Sequence, residues 1–159
     1  MDRLRVVNRI ALLVALALLV TLGVAWWRER TRVYAEPRWE PARFAAVVPE
    51  SAAAGRERWV VAVNLRCPHC QLHLRALADS LAGWSRRPAL AALVVDQPEP
   101  PAVTRLGHRL DGGVWWDRQE VWRREWGRRG YGETYRFDAD GRLVAATPAG
   151  VFPRDVPRE

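Results

Sequence analysis

At 159 residues the chain has room for one domain with a single modest core plus an appendage, not for two cores. Its formal charge of +7 rests on 25 basic residues that are all arginine, and this bias, with abundant alanine, reads as the coding of a GC-rich bacterial genome. The arginines alternate with acids, as in DRQEVWRREWGRRG (117–130), and no nucleic-acid motif accompanies them, so nucleic acid is set aside in favour of a solvated surface that suits anionic lipid.

Residues 1–9 carry Arg3, Arg5 and Arg9 and precede the uncharged run IALLVALALLVTLGVAWW at 10–27. At 1.5 Å per residue a helix of that length covers about 27 Å, enough for a bilayer core. Trp26 and Trp27 suit its interface. A cleaved signal peptide is the competing reading. Its best cleavage triplet, Gly23-Val24-Ala25, would leave a tryptophan first, and Val33-Tyr34-Ala35 lies beyond the charged RERTR, so an uncleaved anchor is expected. Arg28, Arg30 and Arg32 balance the three arginines before the span, but a first span with a short basic tail usually keeps that tail in the cytoplasm. Residues 28–159 are therefore placed outside the bacterial inner membrane, in the periplasm, where a disulfide persists.

Residues 28–56 mix charge with Pro37, Pro41 and Pro49 and read as a tether of roughly 30 Å mean reach, with RFAAVV (43–48) as a short strand on the domain edge. A regular pattern then runs over 57–147. WVVAVNL (59–65) is a buried strand. Cys70, Leu74, Leu77 and Leu81 define one face of a helix that Gly83 ends, and ALAALVV (89–95) is a second buried strand. Strand, helix and strand of these lengths make a βαβ unit. AVTRLGHRL (102–110) reads as a short helix and gives His108 no role; GVWW (113–116) is a third strand. Asp117 caps a helix through RQEVWRREW, with Trp122 and Trp126 on one face. ETYRFDADGRLVAAT (133–147) is a hairpin turning at Asp138–Gly141. The tail, 148–159, holds three prolines and forms no ordinary helix. Core and interface packing account for most of the nine tryptophans.

Both cysteines lie in Cys67-Pro68-His69-Cys70, between a strand's end and a helix's first turn. Unpaired N–H groups and the positive end of the helix dipole stabilise a thiolate there, depressing Cys67 below the free value near 8.5. Arg66 and His69 add positive charge or donors, and Pro68 fits the first helical turn, where its missing N–H has no partner anyway. Cys67 is the expected nucleophile of thiol–disulfide exchange and Cys70, one turn in, the resolving thiol. Two readings compete. A passive staple closing so short a loop gains only about 2 kcal/mol. A copper(I) or zinc site would use Cys67, Cys70 and His73 on one helix face, whereas the plain reading of His73 is a solvated helix position.

The order strand, Cys-Pro-His-Cys, helix, strand, then strand, helix and hairpin resembles the thioredoxin superfamily over about 57–147. The CPHC motif is similar to that of DsbA-type oxidases. GYGETYRFDADGRLV (130–144) is similar to a run in membrane-anchored TlpA-like and cytochrome c maturation thioredoxins. The resemblance implies an α/β thioredoxin-like fold, a central mixed sheet flanked by helices, whose only redox group is the Cys67–Cys70 disulfide. It implies a substrate loop at Tyr131, Gly132 and Glu133. Its implied partners are thiols and disulfides of exported proteins and a membrane redox partner. Three features depart from the pattern. Gly132 stands where the family has a cis-proline, and a cis bond there would cost about 3 kcal/mol, so another loop conformation is expected, with room left for a metal near the sulfurs. No Asp or Glu occurs between Arg58 and Cys67 to relay a proton, leaving water, His69 or an acid from elsewhere. The last helix of the family is missing, so residues 36–56, the membrane or a partner must cover one sheet face.

Overall fold

In the computed structural model, residues 2–51, 55–102, 106, 110–128 and 130–151 are described. The chain divides into two compact units, Met1–Val33 and Tyr34–Glu159. The first is a single helix, α1 (Asp2–Arg30). Within its stretch Val7–Arg30 an 18-residue window has mean hydropathy 2.5, and the helix is long and apolar enough to cross a membrane. Arg28 and Arg30 complement the negative end of its dipole, and Arg30 lies over the Trp26 ring at 4.9 Å.

The second unit is built on a six-stranded mixed sheet. Its strands are β1 (Ala45–Val48), β2 (Arg58–Val63), β3 (Ala89–Val94), β4 (Val114–Trp116), β5 (Thr134–Phe137) and β6 (Leu143–Thr147). Their spatial order is β1-β4-β3-β2-β5-β6. β2, β3 and β4 run parallel, in registers such as Val61↔Ala92 and Leu93↔Trp115, while β1, β5 and β6 are antiparallel to their neighbours. The chain passes from β2 to β3 through helix α2 (Pro68–Leu81).

Alternation along the central strands divides the core in two. Trp59, Val61, Val63, Leu90, Ala92 and Val94 face α2 and its Cys70, Leu74, Leu77 and Leu81. Val60, Ala62, Ala91, Leu93 and Val95 face the other way, onto an aromatic layer that includes Trp39, Phe44, Trp115, Trp122, Trp126, Tyr135 and Phe137. The period-2 geometry of a strand makes this division, and apolar residues at both parities of β2 and β3 bury both faces.

Two expectations change here. The stretch read as a tether contributes Trp39, Phe44 and β1 to the folded unit, so from Tyr34 onward it is largely domain. Among the described residues no helix follows β6, and the sheet face opposite α2 is covered by this aromatic layer. The helix expected after Asp117 shrinks to one turn, α3 (Val121–Arg124). Asp117 is buried and accepts bonds from the N–H groups of Val121 and Trp122, but Glu120 is left-handed (φ 56°) and separates cap from helix. α3 has ended before Gly127, which takes a non-helical φ of +65° and lies so close to the Tyr34 ring that an added Cβ would meet Cγ at 2.2 Å. Most of the expected helix at 102–110, His108 included, lies outside the described residues; Leu106 and Leu110 pack on the α2 side.

Candidate active site

β2 ends at Val63, and the next four residues are pinned before α2 begins. Asn64 is buried, its carbonyl accepts from the Cys67 N–H (2.9 Å), and its Oδ1 accepts from the Arg66 N–H (2.9 Å). Gln71, already on α2, donates back to the Leu65 carbonyl at 2.8 Å. This Asx-type bridging holds the turn that delivers Cys67 to the helix cap. Cys67 is the N-cap residue, extended at φ −101° and ψ 100°, and its Sγ accepts from the Cys70 N–H at 3.3 Å. Pro68 occupies the first helical position.

Cys67 and Cys70 are joined in a disulfide with Cα atoms 5.5 Å apart. Cys67 is half-buried while Cys70 is 1% exposed. A partner can therefore reach only the first sulfur, the asymmetry that separates an attacking from a resolving cysteine. Arg66, Pro68 and His69 are exposed around the helix start, where the sequence places them.

Tyr131 and Gly132, in the loop before β5, lie beside this pair. A Cβ built on Gly132 would stand 3.8 Å from the Cys70 Cα. Gly132 adopts φ +90°, the conformation that favours glycine, and its N–H donates to the Ala62 carbonyl at 2.6 Å. The Glu133 carbonyl accepts from the Ala62 N–H at 2.9 Å. The loop backbone is thus drawn into the sheet on this side. Ala149 approaches this glycine closely, its Cβ 3.3 Å from a Cβ built there. Gly132→Pro is expected to cost about 3 kcal/mol of stability, because proline requires φ near −65° and removes the bond to Ala62. Chemical denaturation of the full chain checks this; an unchanged midpoint would mean that the loop refolds around the ring.

His73 is corrected by the structure. It is not solvated but 8% exposed, with Nε2 3.1 Å from the Thr134 hydroxyl, and burial lowers its pKa. Among the described residues no three His, Cys, Asp or Glu side chains converge as a metal site, so Cys67, Cys70 and His73 are not assembled as one. His69, the other histidine at the site, stays at the surface.

A cavity of about 490 Å³ adjoins the disulfide, lined by Asn64, Arg66, Cys67, Asp96, Gln97, Pro98 and Tyr131. Asp96 was not singled out by sequence. It follows β3 at φ 54°, a conformation that Asp tolerates better than most residues, and accepts from Arg123 Nε (2.9 Å) and the Tyr131 hydroxyl (2.7 Å). The Arg123 guanidinium holds its carboxyl below the usual carboxylate range. Tyr131 also stacks on Trp122, ring centroids 5.8 Å apart. Asp96, Arg123 and Tyr131 thus fix the loop beside the sulfurs, and the only sequence signal for the trio was an acid directly after a buried strand.

Strand order, the βαβ unit and the cysteine pair at a helix start define a thioredoxin-like fold. Among solved structures the chain is similar to an uncharacterized thioredoxin-like protein from Porphyromonas gingivalis, at 18% identity and TM-score 0.51, over 69% of this chain and 81% of that one. It is also similar to a structure described as a thiol:disulfide interchange protein DsbE from Chlorobium tepidum, at 14% identity and TM-score 0.49, over 76% and 91%. No family model and no curated protein matches the chain.

Proposed function

We propose that the chain is a membrane-anchored thiol–disulfide oxidoreductase acting on exported proteins through Cys67 and Cys70. The observation that carries this reading is the disulfide's asymmetry at the start of α2: an accessible sulfur at the cap, a buried one a turn later. A structural staple needs no such difference in access, and closing a four-residue loop adds little stability. In reduction of a partner, the Cys67 thiolate attacks the partner's disulfide and forms a mixed disulfide. Cys70 then attacks Cys67, closing the Cys67–Cys70 bond and releasing the partner's second sulfur as a thiolate. Oxidation of a partner dithiol is the reverse sequence.

Helix α1 serves as the anchor, with its short arginine-bearing tail in the cytoplasm and the folded unit in the periplasm of a bacterial cell. A membrane redox partner resets the pair. The distribution of Cys67–Cys70 in growing cells assigns the direction, mostly oxidised for a disulfide donor and mostly reduced for a reductase.

The test uses the purified full chain in mild detergent, equilibrated in glutathione buffers of graded potential. Thiol trapping should show one reversible two-electron transition, and titration of Cys67 in the reduced protein should give a pKa below the free value near 8.5. A pair that glutathione and dithiothreitol both leave intact, or a Cys67 that titrates like free cysteine, would overturn the assignment.

A further inference from the structure

The cavity beside the disulfide is walled by polar side chains that, with one exception, are engaged within the chain. Asn64 Oδ1 accepts from the Arg66 N–H and from the Gln97 side-chain amide, and Asn64 Nδ2 donates to the Val95 carbonyl. Both carboxylate oxygens of Asp96 are taken by the Arg123 guanidinium, and the Tyr131 hydroxyl donates to one of them. The exception is Arg66. Its backbone is fixed by Asn64, but its exposed guanidinium has no acid or carbonyl partner among the described residues.

The charges on this wall do not cancel. Asp96 is offset by Arg123, so the cation of Arg66 is left over. Glu99 follows Pro98 at the surface but does not line the cavity, and Glu133 is engaged by the Tyr135 hydroxyl. A guanidinium suits a carboxylate, which it can grip through two parallel N–H bonds. Arg66 also directly precedes Cys67, and both line the same cavity. Whatever pairs with the guanidinium therefore lies beside the accessible sulfur, and about 490 Å³ leaves room for the residues next to a partner's cysteine. The chain's charge of +7 favours the approach of an acidic partner in the same sense.

We propose that Arg66 is a specificity residue: it selects partners with an acidic residue next to the reacting cysteine, whose carboxylate enters this cavity and pairs with the guanidinium. The inference rests on the exchange reading above and names the class of substrate that the site prefers. Arg66 takes no part in bond making. It raises the rate at which an acidic partner's sulfur is presented to Cys67.

The test uses the reduced full chain in non-ionic detergent and three capped tripeptides, Glu-Cys-Glu, Gln-Cys-Gln and Lys-Cys-Lys, each joined through its cysteine to a neutral 2-thiopyridyl group. The Cys67 thiolate attacks the peptide sulfur. The Cys67–peptide disulfide forms as the peptide–pyridyl S–S bond breaks, and the pyridinethiolate leaves with the electron pair, takes a proton from water and absorbs as the thione. Each second-order rate is divided by that of 2-mercaptoethanol with the same peptide, which removes the peptide's own reactivity. The ratio between peptides is independent of how reactive Cys67 is, so any effect of Arg66 on the thiolate drops out. An exposed ion pair contributes up to about fivefold, and Lys turns attraction into repulsion, so wild type should prefer the Glu peptide over the Lys peptide by about tenfold. Arg66→Gln should bring that ratio within about twofold of unity, and Arg66→Glu should invert it. The wild-type preference should shrink in about 0.5 M salt, where the Debye length is only about 4 Å. A wild-type ratio near one, or a preference that both variants retain, would overturn the role of Arg66 while the Gln peptide's reaction still upholds exchange at Cys67. Failure of all three peptides to react with wild type would overturn the exchange reading and this inference together.

Discussion

Cys67→Ser is expected to abolish exchange, with a loss on the order of 10⁴-fold or more, while Cys70→Ser leaves the first attack intact and accumulates the mixed disulfide. The difference follows from access. Cys67 is the half-buried cap whose Sγ receives the Cys70 N–H, so only its sulfur can meet a partner. Serine there offers a hydroxyl that remains protonated and cannot open a disulfide. With serine at position 70 the intermediate forms, but no buried thiol remains to displace the partner. Both variants lose the same cross-link and the same loop-entropy term of about 2 kcal/mol, so unequal behaviour reports chemistry rather than folding. The measurement is a non-reducing gel of cells carrying each variant, followed by mass spectrometry of adducts that disappear on reduction. Adducts should be abundant with Cys70→Ser and absent with Cys67→Ser. No adduct with either would count decisively against an oxidoreductase.

The parts of this site that could be read in sequence were those set by local pattern. A β-branched run, a Cys-Pro start and apolar residues in steps of four, three and four specify strand, cap and helix without reference to the rest of the chain. Loop closure and long-range packing escaped it. His73 reads as a solvated polar residue because it adjoins the Leu74 face; it is buried because Thr134, 61 residues later, meets its ring. Asp117 was correctly expected to cap, yet the helix after it is one turn long. The left-handed Glu120 and the contact of Gly127 with Tyr34 are tertiary facts with no local signature. Gly132 reads as a departure, but the close approach of Ala149 to it depends on where the chain runs after β6. The aromatic layer is legible in sequence only in outline, as a sheet face that residues 36–56, the membrane or a partner must cover. Trp39 and Phe44 stand in a proline-rich, charged stretch whose composition is that of a linker, and only the uncovered sheet face gives them a destination.

Trp39→Ala is accordingly expected to cost about 3–5 kcal/mol, the range for a buried aromatic cut back to alanine. Trp39 is 3% exposed and touches Phe44, Trp115 and Phe137, with centroids 5.0, 5.6 and 6.0 Å away. Arg58 lies over its ring at 5.4 Å. Its own N–H to the Gly141 carbonyl (2.8 Å) fastens the strap to the β5–β6 turn. Gly141 itself must be glycine, because a Cβ there would meet the Trp39 carbonyl oxygen at 2.4 Å. Phenylalanine keeps much of the ring surface and removes an indole N–H that has no acceptor, so Trp39→Phe should cost only about 1 kcal/mol. Urea unfolding of the full chain in mild detergent, followed by circular dichroism, should move its midpoint down by about 2 M for the alanine variant. A shift of a few tenths of a molar would show that the strap leans on the sheet without closing its core. Activity gives the second half of the test. Trp39 packs on the face opposite α2, so the fraction still folded should react at Cys67 within twofold of the wild-type rate. Lost stability with retained chemistry would establish that residues 34–48 cover the sheet face opposite α2 and take no part in the exchange site.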